Sequence, residues 1–307
     1  GDSGLPAVFY RAALPAVAAF RSMALLRIII FSMALGTLAV THALATRYSR
    51  PAAAWAAPAL LFVFPIFDYG LEDLRGYFFF TLTGLLSVYF FHHARRQPSP
   101  GMLFMWAAAL ILSFTSNPLT ITLAAGPAVY YLLVMRPRLG SPARGLVDIH
   151  FGFVAAAGVA FVPFVYRAAG SHHIVKYVQP PYFLVPYLTA FNSFFLACIA
   201  AFLVAACIFR RDFRGALFLS AAASAGVTML ILALGFLEPY EYYLLFAAPL
   251  TFVCLAILAG NAAGWLEKRS RTAGRAAVAA LSLGPAFFLV STCVSSFSET
   301  GSHEQLE

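Results

Sequence analysis

The chain has 307 residues, of which 62% are hydrophobic and only 10% charged, and its mean hydropathy is +0.83. A soluble domain carries about 25% charged residues, so this composition excludes an ordinary water-facing globule and requires a surface that faces lipid. The formal net charge of +8 would point to nucleic acid in a soluble protein; here basic loops on one membrane face account for it, and no nucleic-acid partner is expected.

Crossing ~30 Å of hydrocarbon takes about 20 apolar residues. Ten segments meet or approach that requirement: 23–46, 52–69, 76–93, 102–116, 118–135, 145–166, 182–209, 216–237, 242–266 and 276–294. The sequence therefore predicts an all-α, polytopic transmembrane helix bundle over 23–294, with about ten spans. An external juxtamembrane segment, 1–22, precedes it, and an external polar tail, 295–307, follows. The fourth and fifth segments are short and separated only by Ser116, Asn117 and Pro118, so a tight hairpin that stops short of crossing stays open for them. Pro58, Pro65, Pro127, Pro163, Pro186, Pro249 and Pro285 fall within spans, where each removes a backbone donor that a neighbouring helix must replace.

Fourteen of the twenty Lys and Arg residues lie in five short loops at every second gap between apolar segments. They are Arg47 and Arg50; Arg95 and Arg96; Arg136, Arg138 and Arg144; Arg210, Arg211 and Arg214; and Lys268, Arg269, Arg271 and Arg275. Positive loops stay cytoplasmic, so both termini are expected on the other face. That N-terminal placement without initiator Met or signal peptide leads to the expectation of an earlier span that this piece lacks. The tail is expected to lead toward an external domain.

Nine of the twelve acidic residues then fall outside: Asp2, Asp68, Glu72, Asp73, Glu238, Glu241, Glu299, Glu304 and Glu307. The richest loop, Asp68 to Tyr77, offers Glu72 as a general base or cation ligand and Arg75 as a phosphate clamp, with Tyr77 beside them. A solvated turn in which Glu72 and Arg75 merely pair explains the same residues. Glu238 and Glu241 stand among Tyr240, Tyr242 and Tyr243, an aromatic belt with a possible site in its turn. The 167–181 loop carries His172, His173 and Lys176, suited to an anionic substrate; an exposed loop is the alternative. Arg27, near the outer end of the first span, either snorkels or meets an anion. Asp148 and His150 read as interfacial, with a proton relay as the lesser reading. His92, His93, Arg95 and Arg96 read as an anchor facing anionic headgroups.

No metal site is expected from the histidines or from Cys198, Cys207, Cys254 and Cys293, which sit singly in apolar runs. Nucleotide-binding and metalloprotease motifs are absent, so no nucleotide cofactor is expected; a divalent cation held by outer carboxylates stays open.

Four stretches resemble the polytopic GT-C glycosyltransferases, especially the bacterial branch similar to protein O-mannosyltransferases and aminoarabinose lipid A transferases. They are Ala24-Leu25-Leu26-Arg27-Ile28, Tyr48-Ser49-Arg50-Pro51 with the Ala-rich span after it, Glu72-Asp73-Leu74-Arg75-Gly76-Tyr77, and Glu238 to Pro249. The resemblance spans about residues 1–260 and implies sugar transfer from a polyprenyl-phosphate donor at the non-cytoplasmic face of a bacterial inner membrane. Asp2 or Glu72 would act as the base or its support, and Arg27, Arg75 and Lys176 would meet phosphate. Asp2 is the one residue left to match the family's first external acidic loop, and Tyr242 stands where the family has an arginine. A non-enzymatic lipid carrier or assembly partner in cell-envelope synthesis is the alternative, and a secondary transporter a third. The sequence names no protein partner; membrane lipids are expected around the bundle.

Overall fold

The computed structural model describes residues 23–64, 67, 71, 77–171, 185–233, 245–274 and 276, with the side chains of 23–24, 164–171, 185–193 and 231–233 outside that description. Among the described residues there are helices and no strand. The α-helices are α1 (Met23–Tyr48), α2 (Pro51–Phe62), α3 (Tyr77–Ala94), α4 (Pro100–Ser116), α5 (Ala125–Tyr130), α6 (Ser141–Ser171), α7 (Val185–Ile208), α8 (Phe213–Ala233) and α9 (Ala248–Arg269). The short α5 is the middle of one continuous rod, Pro118–Arg138, which opens as a 3-10 helix, passes through a π turn at Tyr131–Met135 and closes as 3-10 again.

Five stretches are long and apolar enough to cross a membrane: Leu25–Tyr48, Pro118–Arg138, Ser141–Pro163, Phe213–Leu230 and Ala248–Arg269. Pro51–Phe62, Pro100–Ser116 and Phe194–Ile208 are shorter apolar helices. The expected ten spans are thus not all present as full-length helices among the described residues, and the tenth segment, apart from Ala276, lies outside them. The second segment ends its helix at Phe62, yet the chain still reaches the far end, because Phe67 packs edge-on against Phe78 at 4.9 Å, in the first turn of α3.

Local sequence sets the helix starts. Pro51, Pro100, Pro118 and Pro249 each stand in a first turn, where the missing N–H has no intrahelical partner to lose. Pro249 therefore starts α9 rather than interrupting a span, and Pro186 likewise falls in the first turn of α7. Ser99 caps α4 by accepting from the Met102 N–H at 3.3 Å. Asn117 ends α4 in extended conformation, and its side chain accepts the Leu119 N–H at 3.0 Å, so one residue closes one helix and opens the next.

Interior packing follows membrane logic, in which small residues let helices approach and hydroxyls return to their own backbones. Thr37, Thr41 and Thr81 donate to the carbonyl four residues earlier at 2.9, 2.7 and 2.8 Å, so each of these three hydroxyls is satisfied within its own helix. Ala216, Ser220, Ser224 and Thr228, spaced by four on α8, form a seam against the Pro118–Arg138 rod. Thr122 donates to Ser224 across it at 3.0 Å, and a Cβ on Gly126 would lie 1.8 Å from the Ala216 carbonyl oxygen. Gly84 has the same role where α3, α4 and the rod meet, with Leu123 and Ser113 against it. Around these seams α1 packs on α2, α3 and α9; α3 on α4; and α8 on α7 and α9. Large apolar side chains such as Leu133, Ile149, Val159 and Ile208 face outward, as a lipid-facing surface requires.

Candidate functional site

The ends of the bundle differ in character. At one end the turns carrying the basic residues converge on Phe213, the first residue of α8. Tyr48, Phe91, His92 and Tyr130 surround its ring at centroid distances of 6.2, 6.0, 5.5 and 5.4 Å, and the Arg95 guanidinium lies 5.0 Å above it. The Tyr48 hydroxyl hydrogen-bonds to His92 Nδ1, and Arg95 also donates to that hydroxyl at 3.4 Å. His92 is 2% exposed. It does not face headgroups, and the expected basic anchor is corrected to Arg95 and Arg96 with His93 half-buried beside them. Burial of His92 follows from its position on the α3 face that meets α1 and α8.

The three carboxylates among the described residues all lie at this end, and each has an arginine partner. Asp148 accepts from Tyr131 at 2.6 Å and takes the two-pronged Arg136 fork at 3.3 and 3.4 Å. Asp212 pairs with Arg214 at 2.7 Å, and Glu267 pairs with Arg50. Asp148 is thus a structural clamp across the 138–140 turn, and His150 points elsewhere, bonded to the Leu146 carbonyl at 2.8 Å. Glycines 260 and 264 on α9 admit the Ser49–Arg50 turn, whose Ser49 hydroxyl donates to the Ala256 carbonyl at 2.7 Å. A cavity of about 400 Å³ lies there, lined by Tyr48, Arg50, Asn261 and Lys268.

Arg27 occupies the opposite end. It is exposed and borders a cleft of about 570 Å³ with Ile28, Ile30, Phe31 and Leu71. Leu71 is the residue before Glu72 in the chain. The cleft therefore joins one guanidinium to an apolar wall. Tyr77 is fully buried in the first turn of α3, edge-on to Phe80 at 5.7 Å, and is not among the residues of that cleft. Asp2, Glu72, Arg75, His172, His173, Lys176, Glu238 and Glu241 lie outside the described residues, as do the remaining outer carboxylates. Among the described residues no three His, Cys, Asp or Glu side chains gather as a metal site, and Cys198, Cys207 and Cys254 are free thiols.

One feature escaped the sequence reading. Between α4, the Pro118–Arg138 rod and α6 lies a cleft of about 670 Å³ with almost wholly carbon walls, bounded by Trp106, Phe114, Ala128, Phe151 and Gly158 among others. The run of small residues, Ala124 and Ala128 facing Ala155 and Gly158, is the pattern that marks it, but only once the two arms are known to face each other.

No family model matches the chain, no curated protein matches it, and no solved structure matches it.

Proposed function

We propose that the chain is a multi-pass membrane glycosyltransferase of the GT-C kind, using a polyprenyl-phosphate sugar at the non-cytoplasmic face of a bacterial inner membrane. The observation that supports it is the Arg27 cleft, which Arg27 lines together with Ile28, Ile30, Phe31 and Leu71. A phosphate on a long apolar chain has the matching distribution of charge and hydrocarbon. In the proposed reaction the Glu72 or Asp2 carboxylate takes the acceptor hydroxyl proton. The resulting oxygen attacks the anomeric carbon while its bond to the lipid phosphate breaks, and the phosphate leaves with the bonding electrons. Arg27 and Arg75 offset the charge that develops on it.

The test uses the full chain in proteoliposomes supplied with a polyprenyl-phosphate sugar, reading release of free polyprenyl phosphate. Removing a base costs about 10²–10⁴-fold in rate, so Glu72→Gln should lower kcat by that order. Losing a charged hydrogen bond costs roughly 1.5–3 kcal/mol, and Arg27→Gln should raise KM about 10- to 100-fold. Unchanged turnover in Glu72→Gln removes that residue from the mechanism. A lipid-carrier function is the second reading, favoured by Tyr242 at the place where the resembled family has arginine. It predicts Arg27-dependent binding of the lipid phosphate with no release of sugar.

A further inference from the structure

The Pro118–Arg138 rod and α6 form a hairpin joined by the 139–140 turn. Its arms touch tightly near that turn: the Tyr131 and Phe151 rings stack at 4.8 Å, and Asp148 ties Tyr131 to Arg136. Farther from the turn they separate. Over that stretch α6 packs chiefly on α4 rather than on the rod, and only 11% of its most apolar 18-residue window is buried. The 670 Å³ apolar cleft fills the wedge, backed by Trp106, whose ring lies tilted against Phe151 at 4.5 Å.

Three arginines stand at the closed end of this wedge. Asp148 neutralises Arg136. Arg138 and Arg144 are exposed and have no ion-pair partner among the described residues; Arg144 spends one N–H on the Leu139 carbonyl at 3.0 Å. From Phe151 to Arg144 is seven residues of helix, about 10 Å at 1.5 Å per residue. Hydrocarbon walls, with two exposed guanidinium groups that form no ion pair among the described residues one headgroup's reach beyond them, complement an amphiphile that is apolar at one end and anionic at the other.

We propose that this wedge is a binding site for an anionic phospholipid, with an acyl chain between α6 and the rod and the phosphate at Arg138 and Arg144. The site lies at the basic end, away from Arg27, and is independent of whether the chain transfers sugar. It accounts for the splayed arms: a cleft without a polar wall cannot hold water, whereas a lipid chain fills it and keeps α6 attached.

Trp106 supplies the readout. In a Trp55→Phe, Trp265→Phe background it is the sole tryptophan, and the two replaced residues are surface-exposed. The full chain is reconstituted into vesicles containing phospholipid brominated on the acyl chain, either phosphatidylglycerol or phosphatidylcholine at equal mole fraction. Brominated phosphatidylglycerol should quench Trp106 at least about twofold more strongly, and Arg138→Gln with Arg144→Gln should abolish the difference. Both arginines are exposed, so that variant leaves the packing intact. Gly158→Leu, at a position where an added Cβ meets nothing within 4 Å, should fill the cleft and reduce quenching by either lipid. Equal quenching by the two lipids overturns the proposal. So does a preference that survives loss of both arginines, or quenching that Gly158→Leu leaves unchanged.

Discussion

The Ser220 hydroxyl donates to the Leu123 carbonyl at 2.8 Å. In an unbroken α-helix that carbonyl would accept from residue 127, which is Pro127 and has no N–H. A serine on α8 thus supplies the donor that the rod's own proline lacks, and Ser220 Oγ also accepts the Gly126 N–H at 3.0 Å. Hydrogen bonds between membrane helices are worth about 0.6 kcal/mol on average and up to about 1.7. Ser220→Ala leaves two buried backbone groups without partners, so a loss of about 1–2 kcal/mol is expected in reversible detergent unfolding. Pro127→Ala restores one donor. In the double variant the Ser220→Ala cost should shrink, and a strictly additive cycle would show that hydroxyl and proline are not coupled.

The same seam makes Gly126 intolerant of any side chain. Even the Cβ of alanine would lie 1.8 Å from the Ala216 carbonyl oxygen, a backbone atom that moves only if α8 moves. Overpacking typically costs about 1–3 kcal/mol, and Gly126→Ala should reach at least the upper part of that range. Gly152 in α6 is the control, since a Cβ there meets nothing within 4 Å. Gly152→Ala should be neutral or stabilising by up to about 1 kcal/mol, the helix-propensity difference. Midpoints of thermal unfolding for the two variants check both expectations at once.

Glu267 closes onto Arg50 across the turn between α1 and α2, but the pair is half in solvent, with side-chain exposures of 44% and 42%. Exposed ion pairs contribute about 0–1 kcal/mol and are screened by salt. Glu267→Gln should therefore change stability by less than about 1 kcal/mol, and the difference should fade as salt is raised. Gly264, under the Arg50 guanidinium, holds that turn by shape. Gly264→Leu should cost more than Glu267→Gln in the same unfolding assay.

Helix positions were largely readable from hydrophobic run length, because lipid leaves a helix little choice but to satisfy its own backbone. Segment 76–93 became Tyr77–Ala94, and segment 145–166 became part of Ser141–Ser171. Partnerships were not readable. The Asp148 fork partner, Arg136, is 12 residues away across a turn, and His92 looked exposed because its partner Tyr48 lies on another helix. Proline misled in the other direction. Pro249 lies inside an apolar run, yet the helix begins at Ala248, so the run contains a loop end as well as a span. Of the predicted site residues only Arg27 and Tyr77 fall among those described, and one borders a cleft while the other is core.

Arg138 and Pro118 are the two ends of one rod, and they make the sidedness measurable. The rod holds 21 residues, roughly 30–37 Å with a rise of about 1.5 Å in its middle and about 2.0 Å in its 3-10 ends, enough to cross the ~30 Å hydrocarbon core. Arg138 is exposed beside the basic turns, whereas Pro118 is exposed next to Asn117, at the end where Ser113 donates to the Phe80 carbonyl at 2.8 Å. With the four native cysteines replaced by serine or alanine, single Arg138→Cys and Pro118→Cys variants should react with a membrane-impermeant maleimide from opposite sides of a sealed vesicle. Basic loops are retained in the cytoplasm, so Arg138→Cys should label only from that side. If both positions label from one side, the rod is a re-entrant hairpin arm, and the Arg27 cleft loses its placement at the outer face. Labelling from opposite sides with Arg138→Cys outward would instead invert the bundle and put any chemistry at Glu72 in the cytoplasm.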